Sequence, residues 1–166
     1  MMRNEIRQTE HERFLRQAIA LSARAGLEYA TGGVFGAVIV RKGRVVAEGM
    51  NRVIASHDPT WHAEMEAIRL ASVTLQCFKL DDCILYSSAE PCPMCLSACY
   101  WAGIDRIYFA ATVDDALDYG GFDDRMIYRE LALPPERRTL SMTGLLRDEA
   151  LAVWKQYEAK SDRIRY

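Results

Sequence analysis

Two short stretches of the chain carry side chains suited to chemistry: His62-Ala63-Glu64, and Pro91-Cys92-Pro93-Met94-Cys95. Imidazole nitrogen and thiolate sulfur are donors that zinc accepts in tetrahedral geometry, and a Cys-x-x-Cys pair at the start of a helix can aim both sulfurs at one ion. The positive potential of a helix N-terminus favours thiolate over thiol at such a place. His62, Cys92 and Cys95 make three ligands, which leaves a fourth position for water, the mark of a catalytic rather than a structural zinc. Zinc brings that water to ionise near neutral pH. Glu64 stands two residues beyond His62, near enough for a carboxylate to take the proton and deliver it elsewhere. Each residue alone has an ordinary reading. A lone Cys-x-x-Cys is often structural, a lone His sits more often on a surface or in a core, and an isolated Glu on a helix is usually solvated.

The other cysteines and histidines fit packing better than ligation. Cys99 follows Cys95 by one helical turn and shares its side, but a fourth thiolate would fill the position that water needs, so a small packed residue is expected there. Cys77 and Cys83 lack a partner at metal-binding spacing. His57 falls in a loop before Asp58 and Pro59, and His11 in the first helix.

These residues need elements to hold them, and the chain alternates helical and strand signals without repeats or a Gly/Ser linker. Thr9 followed by Glu12 reads as a capping box, opening a helix whose Phe14, Ala18, Leu21 and Ala25 form one apolar face until Gly26. Phe35 to Val40 and Val45 to Gly49 read as a hairpin turned at Lys42-Gly43. Helical composition follows from Ala63 to Val73, a compact strand from Cys83 to Tyr86, a helix from Met94 to Ala102 and a strand from Ile107 to Ala111. The order is α, β, β, α, β, α, β. The segment Leu131 to Leu140, with Pro134 and Pro135, reads as a connection, and Arg147 to Tyr157 as a last helix. One domain over residues 1–166 is the simple expectation.

Composition sets the class. The chain of 166 residues has an apolar fraction of 50% and a charged fraction of 27%, which is globular composition. A polar start without a signal peptide, and no apolar run of membrane-spanning length, lead us to expect a cytoplasmic protein with no membrane partner. A formal net charge of −2 lacks the basic excess that polynucleotide binding uses, which weighs against a nucleic-acid partner. Five cysteines in such a chain suit metal or packing roles over a disulfide framework.

The His-x-Glu and Pro-Cys-x-x-Cys pair corresponds to the signature of zinc deaminases, in which the Glu is not a ligand. The chain resembles the cytidine deaminase-like superfamily, and within it the small bacterial guanine deaminases. The resemblance runs through Gly32 to Val40, Asp58 to Glu64, Glu90 to Cys95 and Gly121-Phe122-Asp123-Asp124, the last of these looking like the guanine-acting branch. It departs at Val34 and Ala89, where the family pattern has Pro and Cys, and around Asp118 to Gly121, which is one residue longer. The resemblance implies an α/β fold, a three-layer α/β/α sandwich around a five-stranded mixed sheet, and a homodimer whose C-terminal segments, from about residue 145, are candidates for exchange. It implies one Zn2+ per subunit. It also implies that Asn51 hydrogen-bonds a purine, that Phe35 and Trp101 are aromatic walls, that Ala63 adds a contact, and that Asp124 and Tyr166 form the substrate-sensing end.

The expected reaction is hydrolytic deamination at C2 of guanine to xanthine and ammonia, with Glu64 taking the water proton, passing it to a ring nitrogen and later protonating the departing amine. Guanosine, cytosine and ammeline are competing small substrates, and adenosine in transfer RNA a competing large one. A zinc-binding interaction module without catalysis is the reading from outside enzymology, against which Glu64 speaks.

Overall fold

The computed structural model describes residues 2–164, with side chains from residue 8 onward. Helix α1 (Met2–Ala23) runs on into a single widened π turn (Arg24–Glu28). Strands β1 (Gly36–Arg41) and β2 (Arg44–Met50) form the expected hairpin, closed by Lys42 and Gly43, both at positive φ, the backbone of a tight turn whose twist matches its strands. The register shifts between Ile39 and Val40, so a bulge bends the hairpin. A short helix α2 (Val53–Ser56) precedes α3 (Ala63–Leu75). Then come β3 (Cys83–Ala89), α4 (Pro93–Ala102), β4 (Arg106–Ala111), α5 (Val113–Gly120) and α6 (Asp124–Ala132).

Two compact units partition the chain, Met1–Tyr128 and Arg129–Tyr166. In the second, a 3-10 turn (Pro135–Arg137) precedes α7 (Arg147–Ala159). The Glu130 carboxylate there accepts from the Thr139 amide at 2.6 Å and hydroxyl at 3.0 Å, and Arg138 donates to the carbonyls of Leu131 and Leu133.

The strands form one mixed sheet in the order β2-β1-β3-β4. Strand β1 is antiparallel to both neighbours, and β3 is parallel to β4 across the α4 crossover, the kind of connection that parallel neighbours require. Among the described residues the sheet has four strands, which corrects the expected five. The chain itself shows strand signals for four only. After β4 the Thr112 hydroxyl accepts from the Asp115 amide, and the Asp115 carboxylate accepts from the Thr112 amide at 2.8 Å. This reciprocal cap turns the backbone into α5 instead of another strand. The Thr9-Glu12 reading is also corrected. Helix α1 is already under way at Met2, because nothing in the polar, helix-compatible residues before Thr9 stops it.

Successive residues of β1 point to opposite faces. Val38 and Val40 join Phe14, Ala18, Leu21 and Tyr86 in a core beneath α1, while Ala37 and Ile39 meet Ala63, Ala67, Ala71, Leu85 and Cys99 beneath α3 and α4. Helices thus cover both faces. The Ala63-Ala67-Ala71 stripe lets α3 lie close on β2, and Gly49 is the point of closest approach. A Cβ there would fall 2.1 Å from the Ala63 carbonyl oxygen and 2.7 Å from the Ala67 amide, backbone atoms that cannot swing aside. Gly49→Ala is therefore expected to destabilise the fold by about 3 kcal/mol, the upper range for overpacking, read as a lower urea midpoint at unchanged slope. A wild-type midpoint would show that α3 is free to lift.

No helix among the described residues is long and apolar enough to cross a membrane.

Candidate active site

The segments that carry Phe35, Asn51 and the Cys-x-x-Cys pair emerge at one end of the sheet. Phe35 lies just before β1, Asn51 just after β2, and Glu90 to Cys95 just after β3, which antiparallel and parallel pairing bring to the same edge. His62 is the N-cap of α3 and Cys92 the N-cap of α4. Two helix N-termini therefore face one place, where their dipoles favour thiolate and carboxylate.

The ligand atoms of His62, Cys92 and Cys95 all lie within 4.8 Å of one another. His62 Nδ1 is 3.5 Å from each sulfur. A tetrahedron with zinc bonds of about 2.0–2.3 Å has edges of about 3.6 Å, so the spacing and the one-nitrogen, two-sulfur donor set both fit zinc. Cys99 is packed in the core with Ala67 and Leu85, apart from the three ligands.

The Cys92 thiol is pulled down to about 4, chiefly because its sulfur accepts a hydrogen bond from Cys95, with His62 adding to the effect. Cys95 is pushed up by the same bond and by burial. His62 is raised by its hydrogen bond with Cys92. Tyr128 steadies the loop by donating its hydroxyl to the Pro91 carbonyl at 3.1 Å.

Glu64, the second residue of α3, is 3% exposed. Its Oε2 accepts from the Cys95 thiol at 3.5 Å and its Oε1 from the Ser87 hydroxyl at 3.1 Å. Burial pushes the Glu64 carboxyl up, so a proton can be held there at a pH where an exposed carboxylate would have lost it. A carboxyl that both accepts and returns a proton needs that property.

Beside these groups opens a cavity of about 380 Å³, whose walls include His62, Glu64, Cys92, Phe35, Asn51 and Asp124. Asn51 is 4% exposed. Its Oδ1 accepts from the Val53 amide at 3.2 Å. That bond fixes the side chain in an Asx turn and leaves its NH2 to be offered. Burial also pushes the Asp124 carboxyl up. Ala63, the first residue of α3, buries its methyl in the core, and its amide, like all those of a first helical turn, has no partner inside the helix.

One expected contact is not brought here. Trp101 is 69% exposed and does not line the cavity. It stands nine residues after Cys92, which at about 100° per residue turns it to the opposite side of α4 and roughly 13 Å along the axis. Tyr166 lies outside the described residues. Conversely, the cavity is lined by Gly32, Gly33, Glu90 and Phe122, to which sequence reasoning gave no role. The Gly32-Gly33 pair ahead of β1 was the available signal. A Cβ on Gly33 would press on the pair of Phe35 and Phe122, whose centroids are 5.1 Å apart in the edge-to-face arrangement that aromatic quadrupoles favour. A Cβ on Gly32 would fall 1.9 Å from Asn51 Oδ1. Gly32→Ala is thus expected to displace Asn51 and raise KM about tenfold, the worth of one buried hydrogen bond, with zinc content unchanged. Steady-state kinetics beside metal analysis checks it, and an unchanged KM would remove Asn51 from substrate binding.

Comparison with known proteins agrees with this geometry. A family model of the cytidine and deoxycytidylate deaminase zinc-binding region matches residues 8–111. The guanine deaminase of Bacillus subtilis (strain 168) is 46% identical over 155 residues, 92% of this chain and 98% of that protein. The X-ray structure of guanine deaminase from Bacillus subtilis superposes with a TM-score of 0.89 at 45% identity, covering 94% of this chain and 98% of that one. The tRNA-specific adenosine deaminase of Aquifex aeolicus (strain VF5) is 39% identical over 101 residues, 60% of this chain and 65% of that protein. With its fold, its converging imidazole and thiols and a matching family model in agreement, the chain belongs to the cytidine and deoxycytidylate deaminase family of zinc-binding deaminases.

Proposed function

We propose that the protein hydrolyses guanine at C2, releasing ammonia and leaving xanthine. The observation that carries this reading is one cavity walled by His62 and Cys92 of the three-residue donor set, the buried Glu64 carboxyl and the fixed amide of Asn51. The near full-length likeness to a guanine deaminase supports the substrate, whereas the likeness to a tRNA-specific deaminase covers 60% of the chain.

His62, Cys92 and Cys95 would hold zinc, which when bound supplies a Lewis acid that lowers the pKa of water. Glu64 takes a proton from the attacking water on Oε2, the oxygen on the ligand side, while Ser87 holds Oε1. It passes that proton to a ring nitrogen as the water oxygen bonds to C2, then takes the second proton from the new C2 hydroxyl and gives it to the leaving amine as the C–N bond breaks and the C2 carbonyl forms. Atoms balance: guanine and one water give xanthine and ammonia. Asn51 offers its NH2 to the purine edge, Phe35 and Phe122 pack against the ring, and the half-buried Asp124 accepts from a purine N–H. A buried site of this kind rejects analogues that leave its polar groups unpaired.

The same reading takes residues 1–166 as one cytoplasmic deaminase domain that acts as a homodimer, with the segment from about residue 145 exchanged. Leu145, Leu146 and Trp154 are exposed, as are Tyr100 and Trp101 on α4, apolar surface that such an assembly would cover. Light scattering at micromolar concentration is expected to return twice the chain mass, and a monomer mass would refute the dimer.

Ammonia release from guanine, guanosine, cytosine, ammeline, adenosine and transfer RNA, with and without a chelator, tests the activity. Guanine is expected to be turned over fastest, and only without chelator. Faster release from transfer RNA, with a steep salt dependence, would move the protein to the polynucleotide deaminases. No release from any substrate would leave a zinc-binding module.

A further inference from the structure

Glu66 has no role in the chemistry above, yet its contacts reach both halves of the site. Its amide donates to the His62 carbonyl at 3.0 Å. Its carboxylate, largely buried, accepts from the Met50 amide at 2.7 Å on Oε2 and from the Trp61 indole N–H at 3.2 Å on Oε1. The Arg52 guanidinium stands 3.8 Å from that Oε1, and the Arg52 amide donates to the Trp61 carbonyl at 3.0 Å. Arg69 lies over the Trp61 ring, 5.6 Å from its centroid. Met50 and Arg52 flank Asn51, and Trp61 directly precedes His62.

We propose that Glu66 is a positioning residue whose single carboxylate locks the segment carrying the substrate-binding Asn51 to the segment carrying the zinc ligand His62. The chemistry of the group is specific to this task. Two N–H donors meet two separate oxygens, and only a carboxylate presents acceptors on both. The isosteric amide satisfies one donor and turns its own N–H toward the other, so it keeps the packing and opens the lock. A buried donor left unpaired then favours movement of its segment toward water. Partners that orient a metal ligand are worth about 10- to 100-fold in affinity or activity.

The substrate arm of this proposal rests on the guanine reading; the metal arm does not. Glu66→Gln, purified with zinc, is expected to show KM for guanine raised about tenfold, kcat changed much less, and zinc lost to a chromogenic chelator about tenfold faster than from wild type. Trp61→Phe keeps an aromatic ring and removes the donor to Oε1, so it is expected to speed zinc loss and leave KM unchanged. It decides the link to His62 by itself should Glu66→Gln fail to fold. Wild-type KM and wild-type zinc release in Glu66→Gln would overturn the proposal, and so would a lowered melting temperature with both unchanged, which would make Glu66 a packing residue only. A Trp61→Phe protein that loses zinc at the wild-type rate would overturn the link to His62. If the wild-type protein does not deaminate guanine, the functional reading fails by itself, and the zinc-release rates still decide the role of Glu66.

Discussion

Glu64→Gln is expected to bind one zinc per chain as the wild type does and to release ammonia about 10⁴-fold more slowly. The size follows from the number of steps the carboxyl serves. One positioned acid or base contributes about 10²–10⁴-fold, and Glu64 serves two proton transfers, one to the ring and one to the leaving amine, so the upper end applies, about 5 kcal/mol of barrier. Glutamine keeps the shape and can still accept from the Ser87 hydroxyl 3.1 Å away. What it loses is the ability to hold and release a proton in a buried place that favours the protonated acid. Metal analysis and single-turnover kinetics on the same preparation check both halves. A Glu64→Gln protein with wild-type turnover would remove the proton carrier from the mechanism.

Cys92→Ala is expected to fail differently, losing zinc as well as activity. Orienting partners cost about 10- to 100-fold when removed, so a direct ligand should cost more, about 10³-fold in zinc affinity. His62 and Cys95 alone do not complete a three-ligand set. Activity should fall to background and the melting temperature with it, because a bound metal stabilises the folded state by mass action. In the wild-type protein a chelator should reproduce the loss and added zinc reverse it, whereas zinc should not restore Cys92→Ala. The two variants separate the roles: in Glu64→Gln turnover is lost and metal kept, and in Cys92→Ala both are lost. Full zinc content in Cys92→Ala would show that another group ligates.

The chemistry was more legible in the sequence than the scaffold. His62, Cys92 and Cys95 were assigned from residue type and spacing, and they converge because both motifs are helix N-caps at the same sheet edge. Strand segments were legible for the same reason that β1 is buried on both faces: a run such as Ala37 to Val40 has no polar side to hide. Capping was not decidable locally. Thr9-Glu12 and Thr112-Asp115 carry the same kind of pattern, yet the first lies inside α1 and the second opens α5. What differs is the neighbour, helix-compatible residues before Thr9 and the end of β4 before Thr112. The fifth strand was inferred from resemblance without a segment to supply it. Trp101 was placed at the site by resemblance too, although helical periodicity from Cys92 already turned it away. The Glu66 contacts were out of reach, since they join residues 50, 52 and 61 through a tertiary approach that no local spacing announces.

The central claim is that this site uses water to replace the C2 amine of guanine. Guanine incubated with the zinc-loaded protein in 18O-labelled water, with xanthine analysed by mass spectrometry and ammonia assayed in parallel, tests it most directly. The expected result is xanthine carrying one 18O at C2, one ammonia per xanthine, and neither product after chelation. Unlabelled xanthine, or no xanthine from a zinc-replete protein, would contradict it.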